Sequence, residues 1–205
     1  REAENAVAVL RDRAHVVVAA ALQSHSVSSF ESRRNELLEI CAGSLHEVNF
    51  QRSKSAPQRV PFHWILEFPE VFVETNSGFD AIIGNPPFRK GKEITGMLGS
   101  DYREYLVQHL AGGTRGNADL CSYFLLRAFA LLKNPGYLGL LTTNTISEGE
   151  TREVGLDLLT KAGCQIYRAV ANRKWPGNAS VVVAQVWISK GRWNSRSVLD
   201  NSVVA

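Results

Sequence analysis

The sequence predicts an α/β fold preceded by a helical segment, and three observations carry the prediction. Residues 1–50 are dense in alanine, leucine and charged residues, which favour helix over strand. From residue 79 onward, short apolar runs of strand length alternate with longer segments of helical period. The last two runs, 165–171 and 180–189, follow one another without a helical segment between them, so the alternation ends in a pair of adjacent strands.

A chain of 205 residues can hold one sizeable domain, or one domain with an appendage. Its 44% hydrophobic and 21% charged residues are those of an ordinary globular protein. A net charge of +3 and a pI near 8.9 permit contact with nucleic acid without requiring it. Cys41, Cys121 and Cys164 are odd in number, far apart and outside any metal-ligand spacing, so a reduced, cytoplasmic compartment is expected. The histidines are equally scattered, and no metal site is expected. Asn178-Ala179-Ser180 matches a glycosylation acceptor by chance. No signal peptide is visible, and the longest strongly apolar run, Val16 to Leu22, is too short to span a membrane, so no membrane association is expected.

In chain order, Arg1 to Gln23 reads as a first helix, and Ser28 or Ser29 caps a second that runs through Cys41. The pair is a helical spacer that packs on a neighbouring domain or a docking surface. The chain opens on charged residues without a methionine and reads as a piece of a longer protein. Gln51 to Pro61 is polar, basic and proline-bearing, a loop. Trp64 to Val73 is aromatic and apolar and is expected to pack on the sheet edge.

The organising stretch follows: Gly78-Phe79-Asp80-Ala81-Ile82-Ile83-Gly84-Asn85-Pro86-Pro87-Phe88. Phe79, Ala81, Ile82 and Ile83 form a nearly continuous apolar run, the pattern of a central strand covered on both faces. Gly84 is expected to let the backbone turn. Pro86 restricts Asn85, and Pro87 restricts Pro86, to extended conformations. Both prolines lack an N–H, so the strand tip presents mainly acceptors: the carbonyls of Asn85 and Pro86 and the Asn85 side-chain oxygen. With the flat ring of Phe88 alongside, such a cluster suits a planar molecule bearing an NH2 group, whether adenine, cytosine or a glutamine amide. Asn-Pro-Pro also suits a plain turn. Its place after an apolar strand, at the carboxyl end where open α/β sheets bind ligands, favours a site.

The run Asp80 to Phe88 resembles the catalytic motif of S-adenosylmethionine-dependent amino-methyltransferases. The preceding Phe62-His63-Trp64 and Phe68-Pro69-Glu70-Val71-Phe72 resemble the lead-in of adenine-N6 DNA methyltransferases from bacterial restriction-modification and phage-defence systems. The resemblance covers roughly residues 60 to 190. It would place Trp64 to Val73 near the active-site wall rather than on the sheet edge. It implies the C-terminal half of a Rossmann-like class I methyltransferase sheet, with S-adenosylmethionine as cofactor and double-stranded DNA as partner. Restriction or defence-system subunits are possible further partners. By the same match Asn85, Pro86, Pro87 and Phe88 are the catalytic residues. The family's glycine-rich cofactor loop and ribose-binding acid normally precede the motif. Neither is present upstream here, so no cofactor-binding residue is assigned, and the isolated fragment is expected to be inactive.

Beyond the motif, Arg89, Lys90 and Lys92 either contact DNA phosphates or form a solvated basic loop. Asp101 to Leu110 suggests a helix. Ala111-Gly112-Gly113-Thr114-Arg115-Gly116 is a flexible loop rather than a phosphate loop, because no strand precedes it and neither fingerprint spacing fits. Asn117 is placed as the N-cap of a helix over 118–132 whose core face is Leu120, Phe124, Leu125, Phe129 and Leu132. Asn134-Pro135-Gly136 ends it. Tyr137 to Leu141 is a second strand, Glu148 to Lys161 a further helix closed by Gly163, and the strand pair follows.

Between those last strands lies Arg173-Lys174-Trp175-Pro176-Gly177. It resembles the family loop whose aromatic residue stacks on a flipped-out base. That assigns stacking to Trp175 with Phe88 and adds Arg173 and Lys174 to the DNA-binding set; a tryptophan plugging the hairpin end is the plainer alternative. The expected division is a helical segment at 1–50, a partial catalytic domain at 51–190 and a tail or linker at 191–205. The implied activity is site-specific methylation of adenine N6 in DNA with the base flipped out. The alternatives are an inactive DNA-binding or assembly module, or methylation of an RNA base or protein glutamine amide.

Overall fold

The computed structural model describes residues 2–22, 24, 27–43, 61–73, 75–176 and 181–204, and the expected loop at 51–60 lies outside them. The chain divides into two compact units, residues 1–73 with 95–113, and residues 74–94 with 114–205.

The first unit is helical. Its long elements are α1 (Glu2–Leu22) and α2 (Val27–Gly43), packed on each other, with Val16, Ala20 and Ala21 of α1 buried. The aromatic lead-in forms two single-turn helices, α3 (Trp64–Glu67) and α4 (Pro69–Phe72), with Pro69 at the first turn where its missing N–H costs nothing. Trp64 stacks on Phe68 at 5.9 Å, and Arg11 of α1 pairs with Glu67 at 3.2 Å. His15 and His63 lie 4.9 Å apart, and burial, with the nearby His15 and Arg11 charges, pushes the His63 pKa down.

The second unit opens with β1 (Phe79–Gly84), and α5 (Gly91–Leu98) begins in this unit and ends in the first. In the first unit, α6 (Ser100–Tyr105) runs on into a wider turn over Leu106–Leu110, where the Ala111 N–H reaches back five residues to the Leu106 carbonyl. The second unit resumes with α7 (Leu120–Leu131), β2 (Leu132–Thr143), the single turns α8 (Gly149–Arg152) and α9 (Leu158–Lys161), β3 (Cys164–Lys174), β4 (Val182–Lys190), β5 (Ser197–Leu199) and β6 (Ser202–Val204).

The strands form one mixed sheet in the order β1-β2-β4-β3-β5-β6. β1 with β2 and β3 with β5 are parallel; β2 with β4, β4 with β3 and β5 with β6 are antiparallel. The strand–helix–strand–helix–strand pair expected from the sequence is thus realised as a Rossmann-like α/β half-sheet. Most of the core lies on one face, with Val183 and Ser189 of β4 buried on the other. Leu138, Leu140 and Thr142 of β2 align with Ile188, Val186 and Ala184 of β4, and all six are buried, together with Leu120, Leu125 and Leu131 of α7 and Leu159 of α9. Lys190 donates to the carbonyls of Phe129 at 3.1 Å and Leu132 at 2.6 Å, closing the end of α7 with a cation where the helix dipole favours one.

Four expectations need correction. β1 is not a central strand: among the described residues it pairs with β2 alone, and Ile83 is 88% exposed. The apolar run reads as doubly covered, but the helices of this unit lie over the other face. Residues 191–205 are not a free tail, because β5 extends the sheet from β3 and β6 pairs back on β5 through Asp200 and Asn201, both with positive φ. The residue capping position of α7 is Asp119, not Asn117. Phe124 is not core but 42% exposed, since its neighbours Tyr123 and Leu125 take the inward positions.

Candidate active site

The parallel ladder carries β1 to its tip with Gly84 opposite Leu140, and the chain then leaves the sheet as Asn85-Pro86-Pro87-Phe88. Gly84 stays in the strand rather than turning; a Cβ there would meet Leu140 Cδ2 at 3.2 Å. Asn85 is exposed, Pro86 buried, Pro87 exposed and Phe88 half-buried. Among the described residues the Asn85 side chain has no hydrogen-bond partner. The loop is therefore held by the Pro86 ring while its polar group faces outward.

The exit of the loop is clamped to the start of α7. The Leu120 N–H donates to the Arg89 carbonyl at 2.9 Å, and the Gly91 N–H donates to Asp119 Oδ1 at 3.3 Å. The backbones are so close that a Cβ on Gly91 would lie 2.3 Å from the carbonyl carbon and oxygen of Asn117. Asp119, 7% exposed, turns its other oxygen to the hydroxyls of Thr143 at 3.0 Å and Thr145 at 2.7 Å. Its own N–H donates to Thr151 Oγ1 at 3.2 Å, and the Ser122 hydroxyl donates to the Thr151 carbonyl at 2.9 Å. Cys121 Sγ stands 3.4 Å from Thr143 Oγ1, and burial pushes its thiol pKa up, so it stays a neutral thiol. A buried carboxylate is tolerated only when its acceptors are filled, and here both oxygens are.

The second sequence constellation lies at the same end of the sheet. Thr143 of β2 aligns with Val183 of β4, and Val182 with Lys174 of β3, so Arg173, Lys174 and Trp175 finish at the end of the sheet where β1 and β2 have their carboxyl ends. The Trp175 N–H closes the strand pair on the Val181 carbonyl at 3.0 Å, and the ring is half-buried. Gly177, the last residue of that motif, lies outside the described residues. From β1 to β3 the sheet order counts three interstrand steps, about 14 Å at ~4.8 Å per step. The fold therefore brings Trp175 and Phe88 to one end of the sheet but not into mutual contact. Arg89, Lys90, Lys92, Arg173 and Lys174 are all exposed, and among the described residues none forms an ion pair. Their charges add over that end of the sheet.

What the arrangement offers is an exposed Asn85 amide on a clamped loop, half-buried aromatic surface and exposed positive charge at that end of the sheet. Among the described residues no cluster of His, Cys, Asp or Glu could hold a metal ion, and no helix is long and apolar enough to cross a membrane. Sequence reasoning missed Asp119 and its threonine partners. The available signal was an aspartate immediately before a helix that also follows a glycine-rich loop.

The family described as Eco57I restriction-modification methylase matches residues 12–165. Among curated proteins no match is found. Among solved structures, the chain is similar to the Type IIL restriction-modification enzyme MmeI in complex with DNA, at 20% identity and a TM-score of 0.47 over 58% of this chain and 16% of that one. It is also similar to a structure described as a class I S-adenosylmethionine-dependent methyltransferase from Listeria monocytogenes, at 14% identity and a TM-score of 0.44 over 61% of this chain and 38% of that one. The chain thus spans well under half the length of either structure.

Proposed function

Since the chain belongs to the Eco57I restriction-modification methylase family, we propose that it forms the amine-holding part of an enzyme that methylates adenine N6 in double-stranded DNA with S-adenosylmethionine. The observation that carries this reading is the placement of Asn85: exposed, unpartnered among the described residues, and at the tip of β1 on a loop fixed at both ends.

The target base must leave the duplex to reach such a tip, at a cost of a few kcal/mol. The Asn85 side-chain oxygen and the Pro86 carbonyl accept the two N6 hydrogens, which holds the amine in place and draws its lone pair out of conjugation with the ring. Phe88 and Trp175 supply aromatic faces for the extruded base, with stacking worth about 1–3 kcal/mol per base. Because the two rings sit at separate strand ends, each engages the flipped nucleotide from its own side once it is seated. Arg89, Lys90, Lys92, Arg173 and Lys174 neutralise backbone phosphates around the opening. S-adenosylmethionine supplies an electrophilic methyl group. The acceptors at the tip of β1 fit the amine, and no described residue is assigned to holding that cofactor. The methyl would leave the sulfonium sulfur with cleavage of its S–C bond, which leaves a neutral thioether, and as the N–C bond forms the N6 nitrogen would lose one proton to solvent; positioning and preorganised acceptors would suffice without a strong base.

The test uses the protein that carries this chain, incubated with S-adenosylmethionine and unmethylated duplex, digested to nucleosides and read by mass spectrometry beside the Asn85→Ala variant. N6-methyladenine that disappears in the variant is the expected result. Near wild-type product in the variant removes Asn85 from the mechanism. Duplex binding without any product favours an inactive binding module, and product only on RNA or protein reassigns the substrate.

A further inference from the structure

Asp119 occupies the capping position of α7, with φ −65° and ψ 150°, yet its side chain makes no capping hydrogen bond. A capping aspartate is worth about 1 kcal/mol to its helix, so forgoing the cap needs a competing set of partners. That set is on hand. One carboxylate oxygen takes the Gly91 N–H at 3.3 Å, and the other takes the Thr143 and Thr145 hydroxyls at 3.0 and 2.7 Å. The three donors come from different places: the exit of the Asn-Pro-Pro-Phe loop, the end of β2 and the turn after it.

The loop's entry is referenced to the same strand, because Gly84 aligns with Leu140 of β2. Entry and exit of the loop are therefore both measured from β2, the first through the ladder and the second through Asp119. Leu120 adds a backbone bond to Arg89, but that bond ties the loop only to α7. We propose that Asp119 is the positioning residue of the amine-holding loop: it fixes the loop exit against the tip of β2 and so sets where Asn85 and Pro86 present their acceptors. The proposal rests on the function assigned above to Asn85.

The amide at this position separates positioning from chemistry. In Asp119→Asn the side-chain oxygen still accepts from Gly91, and the NH2 donates to the two hydroxyls, which can accept as readily as donate. The tether survives without the charge. In Asp119→Ala it is gone.

The experiment measures kcat and KM for methyl transfer, together with hydrogen exchange at the Gly91 and Leu120 amides, in the protein that carries this chain. Asp119→Ala is expected to lower kcat about 100-fold, the loss that a misplacement near 1 Å produces, with KM for duplex within about twofold. Exchange at Gly91 speeds up while the β2–β4 ladder stays protected. Asp119→Asn restores both readouts to within about threefold, since its hydrogen bonds can all be made. Unchanged kcat and exchange in Asp119→Ala overturn the proposal, as does loss of protection throughout the sheet. Asp119→Asn as inactive as Asp119→Ala, with Gly91 still protected, overturns positioning in favour of a chemical role. If the wild type methylates no base, the assigned function fails on its own, and Gly91 exchange in the two variants still decides whether Asp119 holds the loop.

Discussion

Ile83 stands opposite Gly139 across the parallel β1–β2 pair, on the face of the sheet that the helices of its unit leave uncovered, and is 88% exposed. On the other face Leu138 is 1% exposed. The two residues are a strand apart and similar in chemistry, so their difference in environment can be read directly. Leu138→Ala in this 205-residue chain should cost about 2–5 kcal/mol, transfer plus cavity. Ile83→Ala should stay within about 0.5 kcal/mol. Urea unfolding of both variants checks the pair, and equal losses would mean that β1 is covered.

Gly91→Ala should damage the loop clamp. The new methyl group would sit 2.3 Å from Asn117 backbone, where no side-chain rotation can relieve it. A loss of about 1–3 kcal/mol in stability is expected from overpacking, with the Gly91 and Leu120 amides exchanging faster. Gly99→Ala is a weaker comparison, because nothing lies within 4 Å there but its φ of +90° is itself strained. Gly96→Ala, helical and open, serves as the control and should stabilise by about 0.5–1 kcal/mol. A wild-type melting profile for Gly91→Ala would show that the backbones do not approach so closely.

Alkali should destabilise the second unit through its thiols. Burial raises the Cys164 pKa from the ordinary 9.0 to about 11. The folded thiol then keeps its proton over a range where the unfolded thiol has lost it. The folded state binds more protons, so stability falls as pH rises from about 9 to about 11, having been fully present below that window. Cys121 and Tyr167, both raised by burial, act with the same sign; Lys190, lowered by burial, acts with the opposite sign. Denaturant midpoints across that range should decline, and less steeply in Cys164→Ala. A flat profile in the wild type would contradict the burial of these groups.

Duplex binding should depend on salt through the exposed cations at the sheet end. Lys90→Ala with Arg173→Ala should weaken binding across all sequences. It should also make the slope of log K against log salt shallower by about 0.9 for each phosphate contact removed. The reading comes from titrations at several salt concentrations. A changed affinity with an unchanged slope would place the two cations away from phosphates.

Much of the fold was legible because it is written in local periodicity. The apolar runs at Tyr137–Leu141 and at 165–171 appear inside β2 and β3, and the helical segment before Lys161 appears as a continuous helical stretch from Gly149. β5 and β6 escaped because they are three residues each and lie among Arg192, Asn194, Ser195 and Arg196. A signal did exist: Asp200-Asn201, two residues that tolerate positive φ, stands between Ser-Val-Leu and Ser-Val-Val. The motif loop was legible as chemistry, since Asn-Pro-Pro-Phe limits backbone freedom and donors by composition alone. Its clamp was not, because Gly91, Asp119, Thr143 and Thr145 are scattered over more than fifty positions and meet only through the fold.

The sequence by itself determined the longer strands and helices, that one strand must end in a stiff, acceptor-rich tip, and the family to which that tip points. Those properties follow from φ restriction, side-chain period and donor inventory, all of which act within a few residues. Only the tertiary structure decided that β1 pairs with β2 alone among the described residues, that Trp175 reaches the same end of the sheet three strands away, and that a capping aspartate bonds to the exit of the motif loop instead of its own helix. Strand order, coverage of a face and the partners of a buried carboxylate are set by which distant segments pack together, and an apolar run is the same run whether one of its faces is covered or both.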